Sequence, residues 1–153
     1  MKTEPLKRSK ALQSLSREHH YGLLLCWKIR SGIKKSVDIE RIKAYTDWFF
    51  KNSLSKHFSI EEEFVFKLLG NNHEYVKKAL ADHRRLIRLF EDAKNIEKSL
   101  NQLEEELEKH IRFEERVLFP EIQKTSSEHE IELIMKIHSE ESVYEDWGDE
   151  FWK

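Results

Sequence analysis

Apolar residues recur along the chain in three- and four-residue steps, the spacing that lines one face of an α-helix. Leu12, Leu15, His19, Gly22, Cys26 and Ile29 share one face of a first predicted helix from about Ser9 to Ser31, and Gly32 supplies a left-handed stop. Ser36 is placed to cap a second helix through Trp48, Phe49 and Phe50 to Leu69, which Gly70 ends before an Asn71-Asn72 turn. A third starts near His73, presents Val76, Ala79, His83, Leu86 and Phe90 inward, and fades around Lys94-Asn95. Ser99 and Gln102 form a capping-box pattern for a fourth helix, whose inward series is Leu100, Leu103, Leu107, His110, Glu114 and Val117. Pro120 is expected to kink or end it. Ser127 and Glu130 repeat the capping-box pattern before a shorter fifth helix that reaches about Tyr144.

Short connections between four long helices predict an all-α, up-down-up-down four-helix bundle over about residues 9–123. The fifth helix and an acidic aromatic tail, with Tyr144, Trp147, Phe151 and Trp152, occupy about residues 127–153 and are expected to pack across the outside of the bundle. Docking of the tail to a partner is the alternative. Residues 1–153 read as a single domain.

Composition supports this picture. Four glycines and two prolines are too few for the turns of a many-stranded β-fold, and nine Phe, four Trp and four Tyr argue against disorder. With 27 basic and 29 acidic residues the net charge is −2, and no basic stripe interleaved with aromatics suggests nucleic-acid binding. The longest apolar run, Leu23 to Trp27, is much too short to cross a bilayer. The basic N-terminus lacks the apolar core of an export signal, and the single cysteine excludes an intramolecular disulfide framework, so a cytoplasmic location is expected.

The chemistry lies in the predicted core. His57 and Glu61, like His110 and Glu114, are four residues apart and share a helix face. That spacing is common, but the longer pattern is not: His57-x3-Glu61-Glu62-x3-Phe66 recurs as His110-x3-Glu114-Glu115-x3-Phe119, which suggests an internal duplication. His19, His83, His110 and Glu114 occupy core positions of their helices. On the first helix His19 is preferred to its neighbour, because the register through His20 would draw Gln13 and Ser16 inward. From His83 to the turn before the fourth helix and back to His110 is about 11 and 12 residues, roughly 18 Å each way at 1.5 Å per residue, so the two histidines share a level. His19 and His57 lie at matching distances from their own turns. Only the stretch from Ser36 to His57 is too long, so the second helix must overhang the bundle or bend.

A buried carboxylate without a partner costs several kcal/mol, and a cation is the simplest remedy. Four imidazoles and two carboxylates, without thiolates, suit iron, manganese or zinc, and six donors exceed what one tetrahedral zinc takes. Two metals bridged by Glu61 and Glu114 satisfy them all.

Ser16-Arg17-Glu18-His19-His20, His57-x3-Glu61-Glu62, Asp82-His83-Arg84-Arg85-Leu86 and His110-x3-Glu114-Glu115-x2-Leu118-Phe119-Pro120 resemble the hemerythrin-like (HHE) cation-binding family. The resemblance implies a four-helix bundle with a non-haem di-iron centre at His19, His57, Glu61, His83, His110 and Glu114, with zinc or manganese as lesser candidates. It departs from the oxygen-carrying hemerythrins at Ala79, where they place a further histidine, and in having His110-x3-Glu114 where they end in His-x4-Asp. One iron would be a ligand short, with room for water, oxygen, nitric oxide or peroxide. The expected function is to bind or sense such a small ligand, or to handle iron under redox stress. Turnover of peroxide or nitric oxide, or iron donation for cluster repair, is the enzymatic alternative, and a metal-stabilised interaction module is the third.

The remaining polar candidates read as structural. His73, His129 and His138 are expected in solvent, and Cys26 as a small buried hydrophobe; Glu62, Glu63 and Glu115 are expected on a solvated face, with acids behind the ligands or an ion route as the alternative.

Overall fold

The computed structural model describes residues 8–10, 12–137 and 147–153. Among these every regular element is helical: α1 (Gln13–Lys34), α2 (Ile39–Phe49), α3 (Ser55–Ile60), α4 (Glu74–Glu91), α5 (Ile96–Phe113), α6 (Phe119–Thr125) and α7 (Glu128–Ile137). Residues 39–68 form one continuous helical stretch and residues 96–125 another, each interrupted by wider turns rather than by loops. The helical bundle is built from α1, the 39–68 stretch, α4 and the 96–125 stretch, with α5 lying against both α1 and α4.

Burial follows the predicted stripes. Leu12, Leu15, His19, Gly22, Cys26 and Ile29 are all buried, as are Val76, Ala79, His83, Leu86 and Phe90. The apolar interior falls into two clusters, one holding Leu25, Ile29, Phe49, Leu54, Leu86, Leu103 and Leu107, the other Leu12, Leu15, Val65, Phe66, Ala79, Leu118 and Phe119. The histidines and glutamates of the predicted core form a polar layer between them. A fully buried leucine contributes about 1.5–3 kcal/mol, so each cluster can clamp its side of that layer.

The boundaries show where local signals misled. α1 runs straight through Gly32, which is buried and helical. A Cβ there would come within 2.8 Å of Ile42 and 2.9 Å of Phe151, so glycine serves close approach rather than a stop. The left-handed residue is Ser36, with φ of 57°, and Asp38 caps α2 instead, its carboxylate accepting the Glu40 N–H. Gly70, with φ of 90°, ends the second stretch as expected. His73 is half-buried and has a task, since its Nδ1 accepts the Tyr75 N–H as the N-cap of α4. Ser99 does not begin the fourth helix. It lies inside α5, and its hydroxyl donates to Asp92 in the preceding turn. Ser127 and Glu130 do form the predicted reciprocal capping box, at 2.9 and 3.1 Å, and His129 is exposed.

Helical structure continues past Pro120, which stands in the first turn of α6. The reason is the wide turn before it, where the Phe119 N–H bonds the Glu114 carbonyl five residues back. The Glu115 carbonyl is left without a helical donor, because Pro120 has no N–H, and the Arg8 guanidinium fills that role at 2.5 Å. One extra residue in this turn also shifts the inward face, so Leu118 is buried where Val117 was expected, and Val117 is only half-buried.

Trp147, Phe151 and Trp152 pack on Tyr45 with ring centroids 5.4–5.8 Å apart, and Arg41 pairs with Asp149. This part of the tail lies across α2, as expected. His138 and Tyr144 lie outside the described residues. No helix among the described residues is long and apolar enough to cross a membrane.

Candidate metal centre

The site is built from two copies of one local device. In α3 and α5 a histidine and a glutamate four residues on share a face, and at the glutamate the helix widens. The Phe66 N–H bonds the Glu61 carbonyl, and the Phe119 N–H bonds the Glu114 carbonyl, each spanning five residues. This accounts for the repeated His-x3-Glu-Glu-x3-Phe pattern: the phenylalanine closes the wide turn that begins at the glutamate. It also packs beside the site, Phe119 stacking on the His19 imidazole at 5.3 Å and Phe66 lying 5.5 Å from that of His83.

All six predicted residues converge. His19, His57, Glu61 and Glu114 have donor atoms within 4.8 Å of one another, and so do Glu61, His83, His110 and Glu114. Both groups contain both glutamates. His19 Nε2 is 3.7 Å from Glu61 and 3.7 Å from Glu114, and His57 Nε2 is 3.3 Å from Glu61. On the other side, His83 Nε2 is 3.3 Å from Glu61 and 3.7 Å from Glu114, and His110 Nε2 lies against Glu114 Oε1. His20 is exposed and outside the group.

The donor chemistry fits a cation. Glu61 and Glu114 are fully buried, and the four Nε2 atoms and four carboxylate oxygens make no hydrogen bond. Native interiors almost never leave eight such atoms unsatisfied at one place. The other ring nitrogen of every histidine is satisfied. Nδ1 of His19 pairs with Glu115 at 2.7 Å, that of His57 with Glu18 at 2.9 Å, that of His83 with Glu62 at 2.9 Å and that of His110 with Asp82 at 3.0 Å. With Nδ1–H donating outward, each Nε2 faces the centre, and its lone pair is available to a cation once its own proton is displaced.

Without a metal, protons take up the attraction. Burial opposes a charge on His19, yet the carboxylates of Glu115 and Glu61 push its pKa up to about 9. His57, buried likewise but beside Glu61 and Glu18, is pushed up to about 10. Burial also works against His83 and His110, and their carboxylate neighbours raise both. Glu61 is held well below the usual carboxylate range, against its burial, chiefly by His57.

Glu62 and Glu115 take the alternative role that the sequence left open, as acids behind the histidines, rather than the preferred solvated one. Glu18 and Asp82, which do the same, were not singled out. The available signal was adjacency, since each stands directly beside an inward histidine or glutamate in the chain. Glu63 is exposed, as expected, and Cys26 is buried with its thiol pushed up to about 12 by that burial, which leaves it a packing residue.

Residues 67–143, half of the chain, match the family model of the hemerythrin HHE cation-binding domain. The chain belongs to the hemerythrin HHE cation-binding family. No curated protein and no solved structure matches it. The matched segment of this hemerythrin-like chain holds His83, His110 and Glu114, while His19, His57 and Glu61 precede it. The fold therefore brings to the hemerythrin segment a second, equivalent set of donors from the first half of the chain.

Proposed function

We propose that this hemerythrin-like protein holds two iron ions, one between His19 and His57, the other between His83 and His110, with Glu61 and Glu114 shared by both. The observation that carries the reading is the pair of fully buried glutamates, each facing imidazoles of both groups. Nitrogen and oxygen donors without a thiolate suit iron, and the family binds cations. The bundle is read as up-down-up-down. Most of one apolar cluster follows the histidine in α1 and α4 and precedes it in the 39–68 and 96–125 stretches, which supports that order.

Two imidazoles and two shared carboxylates give each ion four protein donors, fewer than an octahedral ion takes. When bound, the metal supplies redox chemistry and positions for an exogenous ligand. The protein's part is to hold the imidazoles, keep Glu61 and Glu114 dry, and enclose the layer in apolar walls of Phe58, Phe66 and Phe119. The function that follows is binding or sensing of oxygen, nitric oxide or peroxide in the cytoplasm. The test is an optical titration of the anaerobically purified, iron-loaded protein with azide and nitric oxide. A saturable spectral change is expected, and a spectrum unmoved by either would reject an open coordination position.

A further inference from the structure

The four outer hydrogen bonds follow one order around the bundle. Glu18, directly before His19 on α1, pairs with His57 on the second stretch. Glu62, directly after Glu61, reaches His83 on α4. Asp82, directly before His83, reaches His110 on α5, and Glu115, directly after Glu114, returns to His19 on α1. Each acid thus reaches the next helical stretch, and the last closes the ring on the first.

These differ from surface ion pairs. The imidazole partners are at most 4% exposed, whereas the acids range from 17% to 40% and so form the outer rim of the polar layer. Glu115 and Asp82 are themselves held in place. Glu115 accepts from Ser16 and Arg8, and Asp82 accepts from Lys78. A carboxylate at Nδ1 fixes both the tautomer and the ring plane, and that decides where the Nε2 lone pair points.

We propose that Glu18, Glu62, Asp82 and Glu115 are positioning residues, and that they act metal by metal. Glu18 and Glu115 orient the two histidines of one ion, and Glu62 and Asp82 orient those of the other. Neutralising one acid therefore weakens one metal position and spares its neighbour, although the two positions share both bridging glutamates. The inference rests on the metal-pair reading above, and it concerns affinity rather than any reaction.

The test is a cobalt(II) titration of the full chain, followed by visible absorbance, with total metal measured at saturation. The isosteric variants are Asp82→Asn, Glu62→Gln, Glu115→Gln and Glu18→Gln, and exposed Glu63→Gln is the control. Circular dichroism checks the fold of each, and with four variants a single folding failure leaves three to decide. Wild type is expected to take up two equivalents. Each single variant should weaken one equivalent about 10–100-fold and leave the other unchanged. Asp82→Asn with Glu62→Gln should again affect one equivalent, whereas Asp82→Asn with Glu115→Gln should affect both, and Asp82→Glu should recover part of the loss. Two equivalents of unchanged affinity in every single variant would overturn the proposal. So would equal weakening of both equivalents by each variant, the mark of a general structural role. A wild type that binds fewer than two equivalents would instead overturn the metal-pair reading, and this proposal with it.

Discussion

The two halves of the bundle agree at the buried layer of histidines and glutamates and differ on either side of it. His19 and His83, His57 and His110, Glu61 and Glu114, and Phe66 and Phe119 hold matching places, down to the wide turn at each glutamate. One turn before the first histidine of each half, Leu15 corresponds to Ala79. Three residues after it, Gly22 corresponds to Leu86, and Phe58 after His57 corresponds to Ile111 after His110. These differences are compensated in part by packing. A Cβ on Gly22 would lie 2.8 Å from Ile111, so the branched chain of one half occupies the space the other leaves. Phe58 instead lies flat on His83, with centroids 3.8 Å apart. On the two-metal reading the donors would be constrained by what the cations need, whereas the apolar layers only have to fill space, so two equal metal positions would sit in unequal pockets.

The largest expected effect breaks the equality at its centre. If Glu61 and Glu114 are shared by two ions as proposed, Glu61→Ala or Glu114→Ala should lower metal content from two per chain to one or none. His57→Ala should likewise abolish the pair, and His129→Ala should change nothing; equal metal content in all of these, by elemental analysis, would reject the assignment.

The next effect needs no substitution. In the metal-free protein the four imidazoles have raised pKa values, so their stabilising contribution is complete below the ordinary histidine value of 6.5 and is lost as pH rises through about 9 and 10, the values for His19 and His57. Glu61 acts in the opposite sense, contributing above its ordinary value of 4.5 and losing that contribution as pH falls through its depressed one. Thermal melts of metal-free protein should therefore fall steadily between about pH 7 and 10, and metal-loaded melts should fall much less. A flat metal-free profile over that range would show that the histidines are not paired with these carboxylates.

Leu86→Ala should cost about 2–5 kcal/mol in chemical denaturation, as a fully buried leucine removed from a filled layer. Gly22→Ala at the matching position should cost less, because the atom it meets is the flexible end of Ile111. Equal costs would mean that the two pockets are equally tight.

The smallest effect addresses ligand access. Ala79 is fully buried in the cluster with Leu15, Val65, Phe66 and Leu118, and Ala79→His should overpack this layer by about 1–3 kcal/mol while filling space one turn before His83. The rate of optical change on adding peroxide should drop. If the variant stays folded and metallated and reacts at the wild-type rate, the reactive position is not beside Ala79.

Much of this was legible in the sequence because burial of apolar faces follows helical period. Choosing His19 over His20 rested on that period alone, and the structure places His19 inside and His20 in solvent. The wide turns were not legible, since nothing in Glu61–Val65 or Glu114–Leu118 disfavours an ordinary helix, and they moved the inward face from Val117 to Leu118. The outer acids could not be decided for another reason: Glu62 and Glu115 were open to both readings, and Glu18 and Asp82 gave no sign of either. A carboxylate beside an inward residue points to the flank of its helix, where solvent and a neighbouring histidine are equally consistent with the sequence. Gly32 misled because close helix approach and a helix stop both select a residue without Cβ.

The central claim is that two iron ions share Glu61 and Glu114. Electron paramagnetic resonance of iron-loaded protein reduced by one electron, with iron counted on the same sample, tests it most directly. Two irons per chain and the signal of a spin-coupled, mixed-valent pair are expected. One metal per chain, or only the signal of isolated high-spin iron, would contradict the claim.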